Sequence, residues 1–109
     1  MRALALSFGL ALLAVGVPAH AADQVINMAK FAGVTAEDLR AIAEYAFTKR
    51  SYNIEENTAA LVVGEQDDKR VEIVIEPEKM VIRWKEGFAG KNDLWLRNLK
   101  TDVLWRLVE

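Results

Sequence analysis

The spacing of apolar positions along the chain changes period twice. Over residues 35–50, TAEDLRAIAEYAFTKR, Leu39, Ile42, Ala43 and Ala46 recur at helical spacing and form one apolar face. Thr35 is placed to cap the N-terminus, and Glu37 and Asp38 fall in the first turn, where the helix dipole favours negative charge. Lys49 and Arg50 suit the opposite end. The pattern predicts a helix over about 36–49. Beyond it the period drops to two. SYNIEE places Tyr52 and Ile54 on one side, and AALVVGE, RVEIVIE and KMVIRWK follow, separated by QDDK and by the turn around Pro77 and Glu78. Four strands joined by short links predict an antiparallel meander.

The last hairpin predicts its own register. Pairing Ile75 with Met80, Ile73 with Ile82 and Val71 with Trp84 makes one face wholly apolar. The other face then sets Glu72 against Arg83 and Glu76 against Lys79, around Val74 and Val81. A slip of one residue would turn the carboxylates into the core. QDDK allows two arrangements. A three-residue loop, Asp67–Lys69, puts Leu61 and Val63 beside Ile73 and Ile75, whereas a two-residue loop puts Ala60, Val62 and Gly64 there. The first is expected, because it buries more apolar surface.

Helical spacing returns in NDLWLRNLKTDVLWRLV, residues 92–108, with Asn92 as N-cap and Asp93 in the first turn. Trp95, Leu96, Leu99, Val103 and Leu107 make one apolar stripe, suited to covering the sheet. Leu94, Thr101, Trp105 and Val108 make a second, at i, i+7, i+11 and i+14. One sheet needs only one stripe. The second is therefore either covered by the N-terminal arm or the first helix, or it is a partner-binding surface. The whole reads as a two-layer α+β domain over 35–109: helix, four-stranded antiparallel meander, helix, with both helices on one sheet face. Residues 22–34 form an N-terminal arm, in which Val25, Ile26 and Met28 suit a short strand or docked segment as well as a flexible lead-in.

The chain opens MRALALSFGLALLAVGVPAHA: one basic residue, an uncharged apolar run, a proline, and small residues at Ala19 and Ala21. This is the pattern of a secretory signal peptide, 1–21, with cleavage expected after Ala21. The apolar run is short for a membrane span, which needs about 20 residues. The periplasm is the expected destination, with no membrane anchor remaining after cleavage. Of 14 Lys and Arg, Arg2 leaves with the leader, and 16 Asp and Glu stay, for a formal charge of −3. So mildly acidic and mixed a surface gives no reason to expect nucleic acid or anionic lipid as a partner.

Cleavage also removes His20, the one histidine, and the chain has no cysteine. Disulfides, thiol and imidazole catalysis and ordinary zinc or copper sites are then excluded, and no cofactor or metal is expected. Glu55–Glu56 is expected to split across a strand, and Asp67–Asp68 to be a solvated turn. Ser51 beside Lys49 and Arg50 is the remaining nucleophile pattern, and a weak one. EGFAGKN lacks the G-K-[ST] ending of a phosphate loop. Asn98 and Asp102, one helical turn apart, read first as structural capping residues and second as a binding pair.

The segment Trp95-Leu96-Arg97-Asn98-Leu99-Lys100-Thr101-Asp102-Val103 resembles the terminal helix of a family of small exported proteins and lipoproteins of Gram-negative bacteria, W-[LV]-x-N-L-x-x-D-[IV]. The upstream order, a helix, an aromatic opening a strand (Tyr52) and strands ending in an IRW-like segment, is also similar over about 34–104. Relatives of this kind often carry a lipobox cysteine and a longer Tyr/Asn-rich loop before the last helix, both missing here. The resemblance implies a fold and a compartment rather than a reaction. The function expected is a non-catalytic binding or protein-interaction module, with an unknown protein partner or self-association through the C-terminal helix. The alternative is a carrier of a small ligand or lipid, in a pocket between sheet and helices lined by Trp84 and Met80. An enzyme is the least expected class.

Overall fold

The computed structural model of the chain describes residues 23–86 and 94–109. The leader with His20 and its cleavage position, Ala22 of the arm, the EGFAGKN loop beyond Glu86 and the Asn92–Asp93 cap lie outside the described residues. The elements are β1 (Gln24–Asn27), a 3-10 turn (Met28–Lys30), α1 (Ala36–Lys49), β2 (Asn53–Asn57), β3 (Leu61–Gln66), β4 (Lys69–Ile75), β5 (Lys79–Glu86) and α2 (Leu94–Val108). The fold is α+β in two layers. An antiparallel sheet in the order β1-β5-β4-β3-β2 carries both helices on one face.

Five strands form rather than four, because the N-terminal arm joins the meander. Gln24, Val25 and Ile26 pair with Ile82, Val81 and Met80, and the Met28 N–H donates to the Glu78 carbonyl at 2.9 Å. Without β1, the backbone of β5 would be an open edge. Docking the arm also buries Ile26 and Met28. Asn27 ends the strand by accepting the Ala29 N–H at 2.8 Å.

Helix α1 starts in a capping box. Thr35 Oγ1 accepts the Asp38 N–H, and Asp38 Oδ2 accepts the Thr35 N–H, each at 3.0 Å. Leu39, Ala43, Ala46 and Phe47 are buried, and Ile42 packs at the margin of the core. The helix stops in a Schellman turn. The Tyr52 N–H reaches the Phe47 carbonyl and the Ser51 N–H the Thr48 carbonyl, with Ser51 at φ 66°. The Phe47 and Tyr52 rings, 5.0 Å apart, supply the apolar contact that accompanies this motif.

The β4–β5 register is the expected one: Ile75 opposite Met80, Ile73 opposite Ile82, Val71 opposite Trp84 and Glu72 opposite Arg83. The β3–β4 register is not. Gln66 pairs with Lys69 across a two-residue turn, Asp67–Asp68, so Val62 and Gly64 face the helices, while Leu61 and Val63 turn to the outer face. Little apolar burial is lost, because Val63 is still only 2 % exposed on the outer face and Leu61 is half-buried, and two further facts favour this register. Both turn residues have positive φ, 54° and 64°, which matches the right-handed twist of the flanking strands and which Asp tolerates. The Phe47 ring also lies directly over Gly64, where a Cβ would come within 2.6 Å of Phe47 Cδ1. A valine at that place would collide with the ring.

Candidate functional site

The inner flank of α2 joins α1 through Asp102. Its side chain is only 3 % exposed, and it accepts from Arg50 Nε at 2.5 Å and Nη2 at 3.2 Å and from Lys49 Nζ at 3.4 Å. Burial pushes its pKa up, but the Arg50 hydrogen bonds and the charges of Arg50 and Lys49 outweigh burial and hold the carboxyl below the usual range. Asp102 therefore ties the middle of α2 to the C-terminal end of α1 through side-chain ion pairs, where bonding to loop backbone or local capping was expected of the Asn98–Asp102 pair. Asn98 is half-buried and makes a separate contribution, to a cleft beside this joint.

That cleft has a volume of about 370 Å³ and lies where α1 turns into β2. Lys49, Arg50 and Ser51 form one rim, Asn98 the other, and Tyr52 and Trp95 an aromatic wall. Tyr52 and Trp95 meet edge to face at 6.0 Å, and Lys69 Nζ stands 5.6 Å from the centre of a Trp95 ring. Gln66 also lines the cleft, with its amide donating to the Arg50 carbonyl at 2.7 Å. Burial pushes the Tyr52 phenol up to about 12, against a small opposing effect of the Arg50 charge. Sequence spacing does not bring Gln66, Lys69 and Trp95 together with Tyr52, because they come from three different elements. One signal was available: an acidic residue next to core position Val103 needs a cation, and Lys49–Arg50 ends the other helix.

The second stripe of α2 faces away from both layers. Trp105 is 66 % exposed, Val108 64 % and Leu94 48 %, and Thr101 is exposed between them, its hydroxyl donating to the Arg97 carbonyl at 3.0 Å. At 3.6 residues per turn, the four positions fall within roughly 60° of one another. They lie opposite the fully buried Leu96, Leu99 and Val103.

The other sequence candidates take structural positions. A bulge at Ile54/Glu56 sets Glu56 opposite Val63 on the outer sheet face, and Glu55 reaches Arg70 on that face at 2.6 Å. The two glutamates therefore share a face instead of splitting across the strand, because the extra bulge residue breaks the alternation. Asp67 and Asp68 make the tight turn, and the Asp68 N–H donates to Glu65 Oε2 at 3.1 Å. Beside Ser51, Lys49 and Arg50 are both engaged with Asp102. Among the described residues, no group of three or more acidic or histidine side chains is placed to hold a metal ion. Met80 is fully buried and Trp84 packs against the same core, so their part of the interlayer space is filled by the chain's own side chains. No described helix is long and apolar enough to cross a membrane. Comparison of the chain with protein-family models, curated proteins and solved structures finds no match.

Proposed function

We propose that the chain is an exported, non-catalytic interaction module of the periplasm, delivered by the leader 1–21 and holding a protein partner on the outer stripe of α2. One observation carries the reading: Trp105 and Val108, large and apolar, are each about two-thirds exposed on the side of α2 opposite its core contacts. Keeping a tryptophan in water exposes apolar surface at roughly 25 cal/mol per Å² relative to burying it. Tryptophan is also the residue type most concentrated at the energetic centres of interfaces. The stripe runs about 21 Å along α2, at 1.5 Å per residue from Leu94 to Val108.

Crosslinking in intact periplasm followed by mass spectrometry tests the reading. The wild-type chain is expected to yield one crosslinked species through residues flanking Trp105, and Trp105→Glu to lose it. Sedimentation over a range of concentrations then separates a second copy of this chain from a different protein. If Trp105→Glu leaves both the crosslinked species and the sedimentation unchanged, α2 is not the partner surface. The delivery step is tested by the mass of the protein recovered from cells, expected to correspond to a chain beginning at Ala22.

A further inference from the structure

We propose that the cleft at the α1–β2 junction is a binding site for a small organic anion, with a carboxylate received by Lys49, Arg50 and the Ser51 hydroxyl and an apolar body set against Tyr52 and Trp95. This site lies on the flank of α2 that faces α1, where Asn98 borders the outer stripe one turn from Leu94 and Thr101. Neither Trp105 nor Val108 lines the cleft, and binding there does not depend on the interaction proposed for the stripe.

Charge is the first argument. Lys49 and Arg50 share one counter-ion, Asp102, so the rim keeps one net positive charge. The carboxylate is buried behind them, while their own side chains are 51 % and 36 % exposed. Asp102 thus orients the two cationic heads without presenting its own charge to the cleft. Lys49 spends one of three ammonium hydrogens on a long 3.4 Å contact and has the others to offer.

Ser51 is the second. It occupies the position of a Schellman turn where glycine is the usual residue, because φ there is positive. A serine at φ 66° strains the backbone, and helix termination alone favours glycine. Serine keeps a hydroxyl at the cleft rim at the expense of that strain. Backbone held in a sparsely populated region is a known mark of functional positions.

The third is the shape and chemistry of the walls. A volume of about 370 Å³ suits a ligand of small-molecule size. Tyr52 and Trp95 provide the apolar contact, and the Tyr52 phenol, neutral at about pH 7 like any tyrosine, adds no negative charge. The Asn98 amide offers a donor and an acceptor for an uncharged polar group.

Titration of the full chain with benzoate, followed by backbone and indole NMR resonances, tests the site, with benzamide as the uncharged isostere and inorganic phosphate as the mineral anion. Benzoate is expected to shift Ser51, Tyr52 and the Trp95 indole saturably, and to bind at least about ten-fold more tightly than benzamide, as a charge-assisted contact requires. Lys49→Gln leaves Arg50 on Asp102 and is expected to weaken benzoate about ten-fold. Ser51→Gly is expected to raise the thermal midpoint while weakening benzoate, a combination that a purely structural serine would not produce. The proposal is overturned if benzoate gives no saturable shift at these residues, if benzamide binds equally well, or if either variant binds benzoate like the wild type. Phosphate reproducing the same shifts with equal affinity would overturn the assignment to an organic anion.

Discussion

On one side of α2, Leu96, Leu99 and Val103 are fully buried, and the Asp102 carboxylate is held by Arg50 and Lys49. On the other side, Trp105 and Val108 are about two-thirds exposed. The same short helix therefore carries apolar residues that the fold uses and apolar residues that it does not. On the inner side, hydrophobicity is explained by removal from water against the sheet. On the outer side most of that gain is not made within the described chain, because about two-thirds of Trp105 and Val108 stays in water. Stability should depend on the first set, and association on the second.

The largest expected effect comes from emptying the inner side. Leu99→Ala removes a fully buried side chain and should cost about 3 kcal/mol, read from denaturant midpoints at unchanged slope. A loss below about 1 kcal/mol would mean that the layer is loosely packed. Asp102→Ala comes next, at about 2 kcal/mol for hydrogen bonds to charged groups. It stays below the loss seen when a charge is stranded inside, because the Arg50 and Lys49 heads can turn to water.

Acid sharpens the same contrast. The Asp102 carboxyl lies below its ordinary value in the fold, so the folded state binds its proton less readily than the unfolded chain does. Its contribution is complete above the unfolded value, near 4, and is lost as pH falls through the lower folded value. Acid unfolding curves of the wild type and Asp102→Ala should therefore converge in that window and stay apart at neutral pH. At the alkaline end Tyr52 runs the other way. With its phenol pushed up to about 12, the fold favours the neutral form, and the stability linked to it is lost only as pH rises toward that value. Ultraviolet titration of the phenolates should show one group ionising well above the ordinary tyrosine range. The smallest effect is on the outer stripe, where Trp105→Glu should change stability by less than about 0.5 kcal/mol while abolishing association. A loss of several times that size would show that Trp105 serves the fold after all.

Much of this architecture was legible residue by residue. Thr35 and Asp38 announce the start of α1 because a capping box is local, closed within four residues. The β4–β5 register was legible because each face constrains it separately, apolar pairs on one and Glu72–Arg83 on the other. The four outer positions of α2 follow from spacing alone, and their exposure agrees with a stripe that the sheet does not need. At the cleft, by contrast, spacing singled out only Ser51, Lys49, Arg50 and Asn98, and it did not assemble them. The roles of Tyr52, Gln66 and Trp95 depend on elements distant in the chain meeting at one end of the sheet.

The linear pattern thus determined which segments are helical or extended, where α1 begins, and which residues of α2 belong together, because each of these is settled by neighbours a few positions away. Tertiary packing decided the rest. The arm became β1 because β5 had an open edge and the core had room for Ile26 and Met28. The β3–β4 hairpin took the register with Gly64 facing the helices because a Cβ at that position would overlap the Phe47 ring. Asp102 became an internal tie because the end of α1 arrives beside it with two cations. Each of these outcomes depends on a contact between atoms far apart in sequence, and composition and periodicity carry no record of that proximity.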